Sequence, residues 1–217
     1  MPQVITSRVS APRLDRTGPM TRRAAKRIFD LVVCSLLLVV ALPLMAVIAV
    51  AIRTDSPGPV TFRQQRTGRD GRRFAMLKFR TMVRNAEELK VSLAHLNVLP
   101  PPDFKIPDDP RITRIGRILR QTSLDELPQL FNVLRGDMSL VGPRPTSFGP
   151  ETYELWHGKR LEARPGLTGP WQLHGRHMTS FDERLRMDID YLDRQSLMTD
   201  LRILLATIPV VLQRKGA

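Results

Sequence analysis

Apolar positions along the chain form one continuous block and several shorter periodic stretches, and each predicts a different element. Residues 31–52 are 22 positions without a charged side chain, broken only by Pro43 near the middle. As a straight helix this block spans about 33 Å, enough to cross the hydrocarbon core of a bilayer. Pro43 removes one helical hydrogen bond and crowds the preceding turn, which predicts a bend there. Arg22, Arg23, Lys26 and Arg27 precede the block, and Arg53, Arg63, Arg66, Arg69, Arg72 and Arg73 follow it. The bias of basic flanks toward the cytoplasm draws both ends to one face. The expectation is therefore a re-entrant helix-bend-helix over residues 21–55 with Pro43 at the bend, in preference to a straight span. A signal peptide fits less well, because the preceding segment is long for a basic n-region.

Past the block, the pattern shortens. Residues 60–64 and 73–79 read as two strands around the turn-prone segment 67–71, a small hairpin. Residues 86–96 read as a helix, and 99–110, with Pro100, Pro101, Pro102, Pro107 and Pro110, as an exposed loop bordering a substrate cleft. Leu201, Leu204, Leu205, Ile208 and Val211 recur at helical spacing in a C-terminal segment that Pro209 divides. Either a core helix or an interfacial helix with Arg202, Arg214 and Lys215 at lipid headgroups fits that pattern. Residues 1–20 lack apolar periodicity and read as a disordered basic arm. The fold class expected is mainly α with a small β-hairpin (α+β). A membrane hairpin over 21–55 and amphipathic interfacial helices surround a compact cytoplasmic-face catalytic domain over 56–217.

The 217 residues leave room for one modest domain beside the membrane element. A net charge of +13 suits nucleic acid, anionic lipid or phosphorylated substrates, and the apolar block favours the last two. The single cysteine, Cys34, lies inside that block, so no intrachain disulfide can form and a reducing, cytoplasmic setting fits. His95, His157, His174 and His177 make no zinc spacing, and no zinc is expected. Phosphate-loop, dinucleotide and serine-hydrolase motifs are absent from the sequence.

Two adjacent carboxylates, Asp125 and Glu126, stand where a helix is predicted to begin. Ser123 and Glu126 have the spacing of a capping box, and Leu127, Leu130, Phe131 and Leu134 make an apolar face that stops at Gly136. Pro128 sits poorly inside such a helix and better at its first position. Under either start Asp125 lies near the positive helix end, which favours its anion. An anion there suits a carboxylate nucleophile or a magnesium ligand. Around the pair, Lys78, Arg80, Arg120, Arg144 and Arg176 occur in turn-rich settings that suit phosphate oxygens, although each alone also reads as a solvated charge. The segment 164–169 (RPGLTG) adds a turn able to approach a ligand closely.

In order, KRIFD, the proline-broken block, SPGPVTFRQQRTG, FAMLKFRTM, the long stretch DPRITRIGRILRQTSLDELPQLFNVLRGDMSLVGPRP, RPGLTGPWQLHGR and YLDRQSLMTDLRIL are together similar to the bacterial sugar transferase family. These are monotopic polyprenyl-phosphate phosphoglycosyl transferases, and the resemblance runs from about Arg22 to the C-terminus. It implies transfer of a sugar 1-phosphate from a UDP-sugar to undecaprenyl phosphate, with release of UMP, at the cytoplasmic face of the bacterial inner membrane. By this resemblance Asp125 is the nucleophile that forms a phosphosugar intermediate and a Mg²⁺ ligand. Glu126 assists it, and Lys78, Arg120, Arg144 and Arg176 match basic positions of the family site. The Trp171 form of the RPGLTGPWQLHGR turn resembles enzymes that begin exopolysaccharides with glucose or galactose. Relatives often carry serine before the bend proline, where this chain has Leu42. Larger members add membrane spans before this region, so the chain resembles the minimal catalytic form. Membrane lipids are expected partners and nucleic acid is not; the oligomeric state stays open, a homodimer included. The rival readings are a membrane-anchored basic protein that binds anionic lipid or nucleic acid, and a scaffold for glycan enzymes.

Overall fold

The computed structural model describes residues 20–98, 104, 106–147, 149, 155–174 and 181–213. Residues 1–19 of the predicted basic arm, half of the proline-rich loop, Arg176, Arg214 and Lys215 lie outside them. Helix α1 covers Met20–Asp55 and runs through Pro43 as one helical element. Its inner stripe, Cys34, Met45, Ile48 and Ile52, is buried, while Leu36, Val39, Val40, Val47 and Val50 on the other faces stay exposed. A helix apolar on all sides but covered on one leaves its remaining surface suited to a nonaqueous environment.

Polar contacts fasten α1 to the rest of the protein at both ends. Near its start, Lys26 pairs with the buried Asp200 at 2.7 Å, and Asp30 accepts hydrogen bonds from the Ser139 hydroxyl (2.8 Å) and the Leu140 amide (3.3 Å). Each of these acids is buried and each has a partner, which removing either side would strand. At the other end, Arg80 donates to the carbonyls of Pro57 and Ser56, the latter at 2.8 Å, just past the last turn of α1. A guanidinium there satisfies carbonyls near the negative end of the helix.

The predicted hairpin is present. Strands β1 (Thr61–Thr67) and β2 (Arg73–Phe79) pair antiparallel from Thr61 opposite Phe79 to Thr67 opposite Arg73, around a 3₁₀ turn at Arg69–Gly71. Strand β2 matches its predicted bounds, whereas β1 starts one residue later and extends three further, through polar Gln65, Arg66 and Thr67. The predicted helix over 86–96 is shorter, α2 covering Ala86–Ser92 before a 3₁₀ turn at Ala94–Leu96.

Helix α3 (Arg114–Thr122) begins at Thr113, whose hydroxyl accepts from the Gly116 amide at 3.0 Å, and is tied to α1 where the Ile115 amide donates to Asp55. Gly116 lets α3 lie directly on the chain after β2: a Cβ there would stand 2.1 Å from the Thr81 carbonyl oxygen. Helix α4 (Gln129–Arg135) stops at Gly136, as predicted, with φ of 93°. Its last carbonyls receive Arg27, at 2.7 Å from Val133 O and 2.9 Å from Leu134 O. From the opposite face the buried Asn132 reaches β2, accepting from the Leu77 amide (2.9 Å) and donating to the Ala75 carbonyl (2.8 Å). Hairpin, α4 and α1 thereby share one core of Cys34, Met76, Leu130, Val133, Met138 and Leu140.

A second sheet was not expected from the sequence. Strands β3 (Ser139–Val141) and β4 (Gly166–Thr168) pair in parallel, three residues each. Gly166 is there for its neighbour's backbone: a Cβ would lie 2.1 Å from the Gly142 nitrogen. The close approach predicted for the 164–169 turn is thus one of chain against chain. The fold closes with α5 (Pro170–His174), α6 (Phe181–Asp193) and α7 (Leu197–Leu212). Helix α7 is continuous through Pro209. Ile203 and Leu204 pack on the core while Leu201, Leu205, Ile208 and Val211 are exposed, so one face is a core face and the other is apolar and uncovered.

Candidate active site

Helix α3 ends at Thr122 because Ser123 turns left-handed, with φ of 58°. A 3₁₀ turn over Leu124–Glu126 follows, and α4 starts only after Pro128. The carboxylate pair therefore occupies a corner between two helices. The predicted capping box does not form: the Ser123 side chain makes no cap bond, and the Glu126 amide instead donates to the Ser123 backbone carbonyl at 3.2 Å. Pro128 explains the difference, since it suits the start of a helix and delays α4 until after the acids. Glu126 is also committed elsewhere, to Lys78.

Lys78 comes from β2, Arg120 from the last turn of α3 and Arg144 from the loop after β3. Lys78 Nζ lies 2.9 Å from Glu126 Oε1 and 3.8 Å from Asp125 Oδ2. Arg144 Nη2 lies 3.6 Å from the same Glu126 oxygen. Arg120 is oriented by its Nε–H bond to the Thr81 hydroxyl at 3.0 Å, and its charge acts on Asp125. The structure thus brings together Asp125, Glu126, Lys78, Arg120 and Arg144. Arg80 is placed elsewhere. It stands two residues from Lys78, but β2 ends at Phe79 and the chain turns, so the Arg80 guanidinium serves the end of α1 and is buried there.

Asp125 is only 8 % exposed. Burial pushes its carboxyl above the ordinary carboxylate range; Glu126 adds to the rise, while Lys78, Arg120 and Arg144 oppose it. The helix-end stabilisation expected from sequence is outweighed, because desolvation disfavours the anion more than the neighbouring cations restore it. Burial likewise lowers the pKa of Arg120. A carboxylate poorly solvated but faced by cations is a reactive anion, suited to attack on an electrophile that brings its own negative charge.

The acids are also the site's hard oxygen donors. Among the described residues no group of three or more His, Cys, Asp or Glu gathers to hold a metal. The pair fits a magnesium ion held by one or two carboxylates and completed by substrate phosphates and water, and does not form a closed cage.

Beyond Arg144 the site opens into a cavity of about 190 Å³, walled by Arg66, Arg160, Trp171, Arg184 and Asp188. Arg66, Arg144 and Pro145 also line the small cleft that contains Glu126, so the two spaces adjoin. The Arg144 and Arg184 guanidinium carbons stand 5.0 and 5.6 Å from the Trp171 ring centre. Sequence reasoning missed Arg66, Arg160, Arg184 and Asp188. One signal was present for Asp188: it lies in phase with Leu185 and Tyr191 on α6, and an acid in a buried apolar register needs a partner.

The chain is similar in sequence to known sugar transferases. The sequence model of the family described as bacterial sugar transferase matches residues 21–214. An undecaprenyl-phosphate galactose phosphotransferase of Salmonella typhimurium is 46% identical over 200 residues, 90% of this chain and 42% of that protein. A UDP-glucose:undecaprenyl-phosphate glucose-1-phosphate transferase of Caulobacter vibrioides is 42% identical over 212 residues, 92% of this chain and 75% of the relative. The exopolysaccharide production protein ExoY of Rhizobium meliloti is 39% identical over 202 residues, 89% and 88% of the two chains. Against its longer relatives, including the Salmonella protein, the chain spans about two fifths of their length.

Proposed function

Because the chain belongs to the bacterial sugar transferase family, we propose that it transfers the sugar 1-phosphate of UDP-glucose or UDP-galactose to undecaprenyl phosphate. UMP leaves, and a lipid-linked diphosphate sugar begins an exopolysaccharide or other surface glycan. The observation that carries this reading is the buried Asp125 faced by Lys78, Arg120 and Arg144 on a fold anchored by α1. The activities named for the Salmonella and Caulobacter relatives support the same donor and acceptor classes.

In the first step a carboxylate oxygen of Asp125 bonds to the β-phosphorus of the donor. The bond from that phosphorus to the bridging oxygen breaks, and its electron pair leaves with UMP. In the second step an oxygen of undecaprenyl phosphate attacks the same phosphorus, and the Asp125 carboxylate departs. Lys78 and Arg144 meet the diphosphate, Arg120 steadies the anion at Asp125, and Glu126 holds Lys78 and Arg144 in place. Magnesium, held by Asp125 and Glu126, would neutralise diphosphate charge.

The exposed apolar face of α1 sits in the cytoplasmic leaflet, entering and leaving on the same side with Pro43 at its deepest point. Both basic flanks favour that topology. Labelling Ala24→Cys and Ser56→Cys from one side of sealed vesicles tests it, and labelling from opposite sides rejects it. The reaction is tested with purified protein, undecaprenyl phosphate, Mg²⁺ and each UDP-sugar. UMP release that requires Asp125 supports the reading, and full activity of Asp125→Asn rejects the nucleophile.

A further inference from the structure

Arg144 is more exposed than Lys78 at the carboxylate pair, and it stands in a loop between Pro143 and Pro145. Neither proline has an amide hydrogen, so the Arg144 peptide supplies the one backbone donor of that tripeptide. The carbonyl of this residue is taken up by a buried ion pair. Arg160, from the 3₁₀ run Leu155–Glu162, donates through Nη2 to the Arg144 carbonyl and, at 2.6 Å, to Asp188 Oδ2. Asp188, which anchors that guanidinium, comes from α6. The paired side chains are 4 % and 3 % exposed.

This pair is a poor device for stability alone. Burial raises the Asp188 carboxyl to about 6, against the opposing pull of Arg160 and Arg144. An ion pair that leaves its acid in that condition has not recovered the desolvation of its charges. What it does fix is geometry: with the Arg144 carbonyl held by a guanidinium that is itself anchored on α6, the Arg144 side chain leaves the loop toward Glu126 at 3.6 Å and across Trp171.

We propose that Arg160 and Asp188 are positioning residues for Arg144, aiming its guanidinium at the phosphates of the nucleotide-sugar donor. The proposal rests on the reading of Arg144 as a donor ligand. Their effect passes through the Arg144 backbone.

The test is a double-mutant cycle on Arg144→Ala and Arg160→Met in the full-length protein, following KM for the UDP-sugar, KM for undecaprenyl phosphate, kcat and thermal unfolding. Arg144→Ala raises the donor KM about tenfold, Arg160→Met reproduces most of that rise, and the double variant is no worse than Arg144→Ala, because coupled residues do not add. The acceptor KM stays within about twofold, which a general loosening of the fold would not allow. Arg160→Lys covers the case in which Arg160→Met does not fold. Its ammonium keeps the charge beside Asp188 but lacks the second arm for the carbonyl, so thermal stability returns while the donor KM remains raised. Additive effects, a parallel rise in acceptor KM, or a native donor KM in Arg160→Lys overturns the positioning role alone. An unchanged donor KM in Arg144→Ala removes Arg144 as a donor ligand, and the proposal with it.

Discussion

The outer face of α1 and the corner that holds Asp125 reverse the usual placement of side chains. On α1 the apolar groups are outside, Val40 being 78 % exposed, while in the corner a carboxylate is inside. Each arrangement is unfavourable in water and each becomes useful beside a membrane. On the proposed reading the apolar face meets lipid, and the buried acid meets a phosphorus atom whose negative oxygens the neighbouring cations offset. The difference lies in what repairs the mismatch. Around α1 it is the solvent, and around Asp125 it is three basic side chains delivered by separate elements.

Removing the buried charge has the largest expected effect. Asp125→Asn lowers UMP release by at least about 10³-fold, as loss of a covalent nucleophile does. Its stability moves the other way. The folded pKa of Asp125 lies above the unfolded value, so its ionisation opposes folding, and stability falls as pH rises through that interval. Asp125→Asn is therefore expected to unfold at a higher temperature than the native protein at neutral pH. A lower temperature would show that the ionised acid supports the fold.

Adding charge to the outer face is the complementary experiment. Val40→Asp with Val47→Asp places two carboxylates on exposed positions of α1, each costing about 2.5–3.5 kcal/mol in a bilayer centre. Membrane flotation should lose the double variant. Retained flotation would mean that this face does not meet lipid.

Lys78→Met tests the repair inside the corner. It leaves Glu126 without its 2.9 Å partner and removes a cation from Asp125. We expect kcat to fall by about 10²-fold and the acid limb of the pH profile to move to higher pH, because Lys78 opposes the rise of the Asp125 pKa. Glu126→Gln removes a negative neighbour, so the limb should move to lower pH on top of a reduced rate. Shifts of the same sign in both variants would reject Asp125 as the group titrated.

The legible parts of the molecule were those written in short-range pattern. The hairpin followed from strand residues around a turn, and the end of α4 from Gly136. Lys78, Arg120 and Arg144 were found through charge and setting, and the structure gathers them. Arg80 was grouped with the phosphate-binding cations because charge in a turn-rich setting does not say what a guanidinium binds; past the end of β2 it serves the carbonyls at the end of α1. Strands β3 and β4 were invisible because three residues display no period and parallel pairing joins distant segments. Asp188 was overlooked because its partner, Arg160, is 28 residues away.

The smallest effect falls on the residue that shapes the corner. A capping role for Ser123 predicts that Ser123→Ala costs about 1 kcal/mol. Its φ of 58°, with no side-chain cap bond, predicts something else. Alanine retains the Cβ and with it the strain, so Ser123→Ala should stay within about 0.5 kcal/mol of the native protein. Ser123→Gly removes the left-handed penalty and should stabilise by about 1 kcal/mol, less whatever the unfolded chain gains in freedom. Thermal unfolding in nanodiscs separates the two, since a comparable loss in both variants would mean that the hydroxyl, and not the backbone, holds Asp125 at the end of α3.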